Sequence, residues 1–293
     1  MIKYKKGSLL GVHKRFDVFG GSYCYWVRGE GPLVVLLHGW PVTSYHWRYL
    51  IPALNKSGYQ TVAIDLKGLG DSSFVRGSLT KKVIAEEIIS LLLSDFPKVK
   101  QYAVIGHDWG GAIAFAMAAL DAKRIKSLII EEEILPGVTA TIPEPGSHRY
   151  PTWHGAFHRE VGLAEGMIEG KESVYISYFL KLRAKPESLS KSVKDRYVAA
   201  YSKKGKTKIG LGYYRTRKED FAFFKKLTQS KLKVPTLAIG GKFAIGAAVG
   251  QVAAGLTRSS SLIIMKNSGH YPAEEETGRF NNAVLTFLNG IEM

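Results

Sequence analysis

The sequence predicts an α/β fold, in which helices cover both faces of a mostly parallel sheet. Short runs of β-branched and aliphatic residues recur along the chain, and each of them ends in a turn signal. Helical patterns lie between several of these runs. Apolar strands that alternate with helices are typical of a parallel sheet covered on both faces. With 293 residues, of which 45% are hydrophobic, the chain can bury one large core.

The predicted strands begin with Arg15–Val18 and Cys24–Val27, which form an N-terminal hairpin joined at Gly20 and Gly21. Six apolar runs follow as buried strands: Leu33–Leu37, Thr61–Ile64, Tyr102–Ile105, Ser127–Ile130, Thr236–Ile239 and Leu262–Met265. Helices are predicted between or after them at Lys81–Leu93, Gly111–Leu120 and near Glu276–Leu288.

This alternation stops between residues 136 and 233. The stretch is rich in aromatic residues and lysine, and it has helical spacing at Val174–Leu182 and Ser190–Tyr201. A helical insertion between two sheet strands would lie over the sheet edge as a lid. We therefore predict a core domain of residues 1–135 and 234–293 and a helical cap domain of residues 136–233.

The composition of the chain limits the classes of function that we expect. The net charge is +16, with many of the cations between residues 171 and 233. A basic surface can recruit nucleic acid or anionic lipid. No nucleic-acid motif accompanies the charge, so we expect a solvated surface and no nucleic-acid partner. No apolar run is long enough for a membrane span, and no metal or cofactor is expected. The sequence does not determine the oligomeric state, and a homodimer is compatible with it.

The N-terminus and the cysteine content bear on the compartment. The first residues are basic, and their longest apolar run is too short for a signal peptide. Cys24 is the only cysteine, so no internal disulfide can form. We expect a cytoplasmic protein, or a secreted one if a signal peptide was removed.

Ligands of open α/β sheets bind beyond the carboxyl ends of the strands. The residues that directly follow the predicted strands are therefore the candidate site residues. They are 38–41, Asp65, 107–109, 131–133, 240–242 and 267–270.

One of these positions has the form of a nucleophile elbow. Gly106-His107-Asp108-Trp109-Gly110 joins a strand to a helix, and its glycines allow close packing around a strained central residue. The alternative is an ordinary turn in which Asp108 caps the helix. The loop His38-Gly39-Trp40-Pro41 favours the elbow, because the backbone N–H groups of Trp40 and Trp109 could together form an oxyanion hole. The sharp turn in this loop predicts a cis Trp40–Pro41 bond.

These motifs resemble the α/β-hydrolase superfamily and, within it, the epoxide hydrolases. H-G-W-P, the D-x-x-G-x-G-D-S stretch of residues 65–72, G-H-D-W-G-G and a late S-G-H occur in the family's order. The resemblance covers nearly the whole chain. It implies that Asp108, which needs no base because carboxylates are anionic at neutral pH, attacks a saturated epoxide carbon. An alkyl ester forms on Asp108, and water activated by His270 hydrolyses it.

The resemblance also indicates an acid that orients His270. Many family members place it after the penultimate strand, but residues 240–246 contain no carboxylate. The alternative position, after the strand that follows the nucleophile helix, has Glu131, Glu132 and Glu133. The Cif-like branch of epoxide hydrolases has E-x-x-x-P there, which matches Glu132 and Pro136. Glu132 is therefore preferred, with Glu131 or Glu133 as alternatives, and three solvated acids as the other interpretation.

The ring-opening donors come from the same resemblance. The W-H and Y-Y-R motifs of the Cif-like branch match residues 153–154 and 213–215, which gives His154 and Tyr214 the two roles. The alternative is that both are ordinary lid residues. Among the other histidines, His38 and His107 are predicted to be structural, and His13 and His46 to lie at the surface.

Two rival functions follow from the same motifs. A dehalogenase would use the same Asp108 nucleophile, but haloalkane dehalogenases usually carry a polar residue at the position of Trp40, and fluoroacetate dehalogenases an arginine at that of Trp109. A non-catalytic binding protein would not need Asp108, His270 and Glu132 together. We therefore predict an epoxide hydrolase, with a small epoxide and water as its substrates.

Overall fold

The computed structural model describes residues 9–183 and 188–291, and the predicted α/β fold is confirmed. Within these residues one sheet contains nine strands, in the order β1-β2-β4-β3-β6-β7-β8-β9, and the short β5 pairs with β2. All strand pairs from β4 to β9 along this order are parallel. The strands are β1 Val12–Val18, β2 Gly21–Arg28, β3 Leu33–Leu37, β4 Gln60–Ile64, β5 Ser73–Phe74, β6 Tyr102–His107, β7 Ile125–Glu131, β8 Thr236–Gly241 and β9 Ser260–Met265.

The predicted hairpin is present, but its turn lies one residue earlier than expected. Val18 pairs with Gly21, so Phe19 and Gly20 form a two-residue loop and Gly21 already belongs to β2. Gly20 has a φ of 73°, in the left-handed region that favours glycine. The first eight residues of the basic N-terminal segment lie outside the described residues.

Helices cover both faces of the sheet, and the strand residues alternate between the two layers. Val35 and Leu37 of β3 face one apolar cluster, while Val34 and Leu36 face the other. Full burial of one such side chain stabilises the fold by about 1.5–3 kcal/mol. The core helices are α1 Leu50–Lys56, α2 Lys81–Asp95, α3 Trp109–Leu120, α11 Ala248–Leu256, α12 Pro272–Glu275 and α13 Thr277–Asn289, with a 3₁₀ helix at Ser44–Arg48.

The segment between β7 and β8 is helical and packs over the carboxyl ends of the strands. Tyr201 donates a hydrogen bond to the carbonyl of Val42, and Tyr213 donates one to that of Lys67. The proposed limits of a separate cap domain, residues 136–233, remain a prediction. The helices are α4 Gly146–Arg149, α5 His154–Phe157, α6 Leu163–Ile168, α7 Glu172–Arg183, α8 Lys191–Tyr201, α9 Lys206–Arg215 and α10 Arg217–Leu227.

The surface of this helical segment carries much of the positive charge. Lys206 and Arg215 are engaged, because Lys206 donates to the carbonyls of Gly68 and Ser72, and Arg215 forms a bidentate pair with Glu165. Lys203 pairs with Asp71 at 3.2 Å but is exposed, as are Lys204, Lys208, Arg217 and Lys218. None of the helices in residues 9–183 and 188–291 is both long and apolar enough to cross a membrane.

Candidate active site

The elbow at Asp108 forms the centre of the site. Asp108 lies between β6 and α3 with φ 49° and ψ −127°, which is a strained conformation for a residue that is not glycine. The flanking glycines are required by close packing. A Cβ at Gly106 would lie 2.3 Å from the carbonyl oxygen of Gly110, and a Cβ at Gly110 would lie 2.2 Å from that of Leu37. The turn therefore holds Asp108, which is 5% exposed, at the sheet edge.

The loop after β3 approaches this carboxylate closely. The backbone N–H of Trp40 donates a hydrogen bond of 2.8 Å to Oδ1 of Asp108. A Cβ at Gly39 would lie 2.3 Å from the Cβ of Asp108, so only glycine fits at that position. The Trp40–Pro41 bond is cis, as predicted. The N–H of Trp109, which begins α3 directly after Asp108, remains the predicted second donor.

His38 supports the same loop, as predicted. Its Nε2 accepts the N–H of Leu66 at 3.0 Å, so its Nδ1 carries the proton and donates to the carbonyl of Gly39 at 2.8 Å. Burial lowers the pKa of His38, which favours this neutral form. His38 thus acts on the site by bracing the backbone next to Trp40.

His270 lies between two carboxylates. Its Nε2 is 3.5 Å from Oδ2 of Asp108, and its Nδ1 is 3.1 Å from Oε2 of Glu132. Both His270 and Glu132 are completely buried. The predicted base, acid and nucleophile are therefore adjacent in space, although they follow three different strands.

The loop after β8, residues 240–246, has no carboxylate of its own but binds the carboxylate of Glu132. Backbone N–H groups of Gly241, Ile245 and Gly246 donate to the Glu132 carboxylate at 2.7, 2.9 and 3.0 Å. Burial raises the pKa of Glu132 to about 8, and these three donors act in the opposite direction. The donors, together with an imidazolium on His270, therefore help Glu132 to hold a negative charge.

The two neighbouring glutamates lie elsewhere. Glu131 is completely buried, accepts the N–H of Ala273 at 2.7 Å and contacts Nε2 of His46 at 2.9 Å. Glu133 is also buried, and its side chain lines the cavity in front of Asp108. The interpretation of all three as solvated acids is therefore wrong, because the strand end that carries them is enclosed by the 3₁₀ helix, α12 and α3.

Three further histidines were assigned from the sequence, and two of them, His107 and His46, lie near the site. His107 is buried, and its Nε2 donates to the backbone carbonyl of His270 at 2.8 Å. This contact supports the backbone and fits the predicted structural role. His13 is exposed, as expected. The prediction of a surface position for His46 was wrong, because His46 is completely buried between Glu131 and Glu274. These partners are distant in sequence, so the position of His46 at a helix start gave no indication of its burial.

His154 and Tyr214 both line the cavity that contains Asp108. The cavity has a volume of about 310 Å³, and its lining includes Trp109, Glu133, Ile134 and Tyr150. His154 is 5% exposed and Tyr214 is 7% exposed, and their ring centroids lie 5.6 Å apart. The Nδ1 of His154 donates to the carbonyl of Pro151 at 2.5 Å. Both predicted ring-opening residues therefore lie on the same cavity as the nucleophile.

Lys81 is a residue near the site that the sequence did not indicate. It is completely buried at the start of α2, 2.8 Å from Asp220 of α10. Its Nζ lies 3.9 Å from the ring centroid of Trp109, a close cation–π distance. Its amine also donates to the carbonyl of Tyr213 and to Thr216. A lysine at the start of a helix is usually solvated, so only the packing of α10 over α2 identifies this contact.

Known proteins are similar to this chain over most of its length. A model of the α/β hydrolase fold family matches residues 32–277. The soluble epoxide hydrolase of Corynebacterium sp. (strain C12) is 30% identical over 290 residues, which cover 94% of this chain and 97% of that protein. Epoxide hydrolase A of Mycobacterium tuberculosis is 24% identical, over 89% of this chain and 92% of that protein.

Solved structures are similar over nearly the same length. Epoxide hydrolase CorEH without ligand superposes with a TM-score of 0.86 at 28% identity, and the match covers 95% of this chain and 99% of that chain. Wild-type Cfl2 from Burkholderia cenocepacia superposes with a TM-score of 0.83 at 28% identity, over 94% of this chain and 95% of that chain.

Proposed function

We propose that this chain, which belongs to the α/β hydrolase family and within it to the epoxide hydrolases, converts a small epoxide to a vicinal diol through an ester on Asp108. The observation that carries the proposal is the position of His270, with Nε2 at 3.5 Å from Asp108 and Nδ1 at 3.1 Å from Glu132. A histidine beside a carboxylate nucleophile is not required for attack on a saturated carbon. It is required to activate the water that hydrolyses the resulting ester.

In the first step Asp108 attacks the epoxide carbon and the carbon–oxygen bond of the ring breaks. The Trp40 N–H already binds Oδ1 of Asp108 at 2.8 Å, which leaves Oδ2 as the attacking atom. Oδ1 then becomes the carbonyl oxygen of the ester. The low exposure of Asp108 removes competing water from the carboxylate and favours attack.

The departing ring oxygen gains negative charge during this step and needs a proton. Tyr214 and His154 line the cavity in front of Asp108 and are the proposed donors. Since Nδ1 of His154 donates to the carbonyl of Pro151, Nε2 is the proposed donor to the substrate, and it carries a proton only in the imidazolium form of the ring. The phenol of Tyr214 donates as a neutral group.

In the second step Nε2 of His270 removes a proton from water, and the hydroxide attacks the Asp108 ester carbon. The negative charge that develops on Oδ1 is stabilised by the Trp40 N–H, with the Trp109 N–H as the proposed second donor. Glu132 stabilises the imidazolium that forms on His270. The His270 imidazolium returns its proton to Oδ2 as the bond between Oδ2 and the ester carbon breaks. The diol leaves with the former Oδ2, the oxygen from water remains on Asp108, and the second proton of the water restores the ring-opening donor.

Epibromohydrin tests this function against the dehalogenase alternative, because it contains both an epoxide and a carbon–bromine bond. We expect early product to be the bromodiol, with bromide retained, and no product from Asp108→Asn. Release of bromide with the epoxide intact would instead identify a dehalogenase. No turnover of epibromohydrin, styrene oxide or any other epoxide in a panel would identify a binding protein.

Oxygen labelling tests the ester mechanism separately. In H₂¹⁸O, with enzyme in excess over substrate, the first turnover should give an unlabelled diol and one ¹⁸O on Asp108. Direct attack of water on the epoxide would place the label in the diol during that same turnover.

A further inference from the structure

A buried cluster of ionisable side chains lies behind the proposed base and takes no part in the steps above. It consists of His46, of Arg48 from the same 3₁₀ helix, and of Glu131, Tyr197 and Glu274 from three other parts of the chain. His46 Nε2 lies 2.9 Å from Glu131, and its Nδ1 lies 2.8 Å from Glu274. Arg48 pairs with Glu274 at 2.6 Å, and the hydroxyl of Tyr197 donates to Glu274 at 2.6 Å. We call these five residues the His46 cluster.

The contacts of His46 require that both ring nitrogens carry protons. Each nitrogen faces a carboxylate oxygen, and an ionised carboxylate can only accept a hydrogen bond. His46 in this position is therefore an imidazolium. The cluster then holds two cations and two anions, which satisfies the requirement that buried charges be paired. The two carboxylates raise the pKa of His46 to about 9, against the effect of burial.

The cluster joins the two segments that carry the acid and the base. Glu131 directly precedes Glu132 in the chain, and it also accepts the N–H of Ala273 at 2.7 Å. Glu274 lies in α12, which begins two residues after His270. The His46 imidazolium thus bridges the end of β7 and the start of α12.

A second path runs from His46 to the backbone of the base. The ring of His46 stacks on that of His107, with centroids 4.5 Å apart and an interplanar angle of 27°. His107 in turn bonds to the carbonyl of His270 at 2.8 Å. Burial and the neighbouring cation lower the pKa of His107 well below its ordinary value, so this ring is neutral. The histidine pair therefore packs as one neutral and one charged ring.

We propose, on the basis of the function proposed above, that His46 is a positioning residue whose imidazolium holds Glu132 and His270 in register for ester hydrolysis. It touches neither substrate nor Asp108. The alkylation of Asp108 needs only the nucleophile, the Trp40 N–H and the ring-opening donors, so it does not depend on His46. Hydrolysis of the ester needs the aligned base and therefore does.

The proposal also predicts an alkaline limit for ester hydrolysis. Loss of the His46 proton would leave one ring nitrogen as an acceptor opposite a carboxylate acceptor. It would also leave the two acids Glu131 and Glu274 with Arg48 as the single cation of the cluster. The bridge between β7 and α12 would then weaken and the base would lose its alignment. The ionisable groups around His46 in the described residues include Glu131, Glu274, Arg48, His38, His107, Tyr197 and Tyr271.

Single-turnover kinetics on His46→Gln test the proposal. Glutamine can donate to one carboxylate but carries no charge. Rapid quenching and mass spectrometry would follow the formation and the decay of the ester separately. We expect alkylation within about threefold of wild type and ester hydrolysis slower by on the order of 10–100-fold, as for a misaligned catalytic group. His148→Gln is the matched control, because it removes a histidine that pairs with Glu144 at 2.6 Å on the exposed surface.

The outcomes distinguish a failure of the proposed function from a failure of the role proposed for His46. If wild type forms neither ester nor diol from any epoxide, the proposed function fails. If wild type forms both, and folded His46→Gln hydrolyses the ester at the wild-type rate, the role of His46 is wrong. Equal slowing of both steps would also overturn it, because that result indicates a general structural effect.

Two measurements on the wild type do not depend on the folding of a variant. Nitrogen-15 NMR of the imidazole rings should show a histidine that is protonated at both nitrogens at pH 7.5. The ester-hydrolysis rate should fall above about pH 9. A buried histidine set that is entirely neutral at pH 7.5, or a hydrolysis rate that stays constant to pH 10, would contradict the proposal.

Discussion

Nδ1 of His270 lies 3.1 Å from Oε2 of Glu132, although 138 residues separate them in the chain. Glu132 reaches this position because its backbone adopts a φ of 52°, which turns its side chain toward the loop after β8. The backbone N–H groups of that loop then bind the carboxylate. The chain thus uses a loop without any acid to hold an acid from the neighbouring strand.

Replacement of Glu132 tests its role as the acid. Glu132→Gln should slow ester hydrolysis by on the order of 10⁴-fold, by analogy with the loss of the orienting acid in a serine protease, because an amide cannot balance an imidazolium. The measurement is the decay of the ester in single turnover. Glu133→Gln is the comparison, because Glu133 directly follows Glu132 in the chain. A larger effect from Glu133→Gln or Glu131→Gln would contradict the assignment of Glu132.

Replacement of His270 should trap the intermediate. In His270→Gln, Asp108 can still attack the epoxide, but water loses its base, so a covalent hydroxyalkyl ester should accumulate. Intact-protein mass spectrometry should show a gain equal to the whole epoxide, and peptide mapping should place it on Asp108. Asp108→Asn should show no gain. An unmodified His270→Gln protein, beside active wild type, would exclude this role for His270.

Replacement of the cavity donors should affect the other half of the reaction. Tyr214→Phe and His154→Ala should each slow ester formation by on the order of 10²-fold, because each removes a donor to the departing oxygen. Tyr178→Phe is a suitable control, because Tyr178 is a tyrosine of α7 that is 41% exposed. Wild-type rates of ester formation in both variants would show that the donors are misassigned.

The buried charge of His46 should make the stability depend on pH. The folded-state pKa of His46, about 9, exceeds the ordinary value of 6.5, so the native state binds more protons than the unfolded state between these two pH values. Stability from this group is complete below about pH 6.5 and is lost as pH rises through about 9. Urea unfolding of wild type and His46→Gln at pH 6 and pH 9.5 measures it. The stability difference between the two proteins should shrink at the higher pH, and a constant difference would contradict the assignment.

The ion pair of Lys81 and Asp220 should contribute strongly to stability when only one partner is removed. Lys81→Met leaves Asp220 as a buried charge without its cation and should destabilise the fold by about 3–5 kcal/mol. The double variant Lys81→Met with Asp220→Asn should regain part of this loss. Lys191→Met is the control, because Lys191 pairs with Asp195 at 2.7 Å on the exposed surface and should have little effect. Urea unfolding of the four proteins checks the prediction.

The sequence by itself determined the strands and the elbow, because both depend on local chemistry. An apolar run such as Leu33–Leu37 is buried on both sides wherever it lies in a covered sheet. Gly106 and Gly110 are needed by the turn itself, since a side chain at either position would collide with the adjacent backbone. The ends of the predicted strands also limited the set of candidate site residues, because the carboxyl ends of parallel strands lie at one edge of the sheet.

Residue chemistry left three glutamates open and only a family resemblance favoured Glu132, so the contact of Glu132 with His270 is visible only in the tertiary structure. The tertiary structure alone decided that His46 and Lys81 are buried beside acids. Glu131, Glu132 and Glu133 are identical in chemistry and adjacent in sequence, so their fates differ only through backbone direction and through partners elsewhere. His46 contacts residues 85 and 228 positions away, and Lys81 contacts one 139 positions away. Local sequence patterns cannot predict such contacts, because the free-energy cost of burying a charge depends on where the opposite charge lies in space.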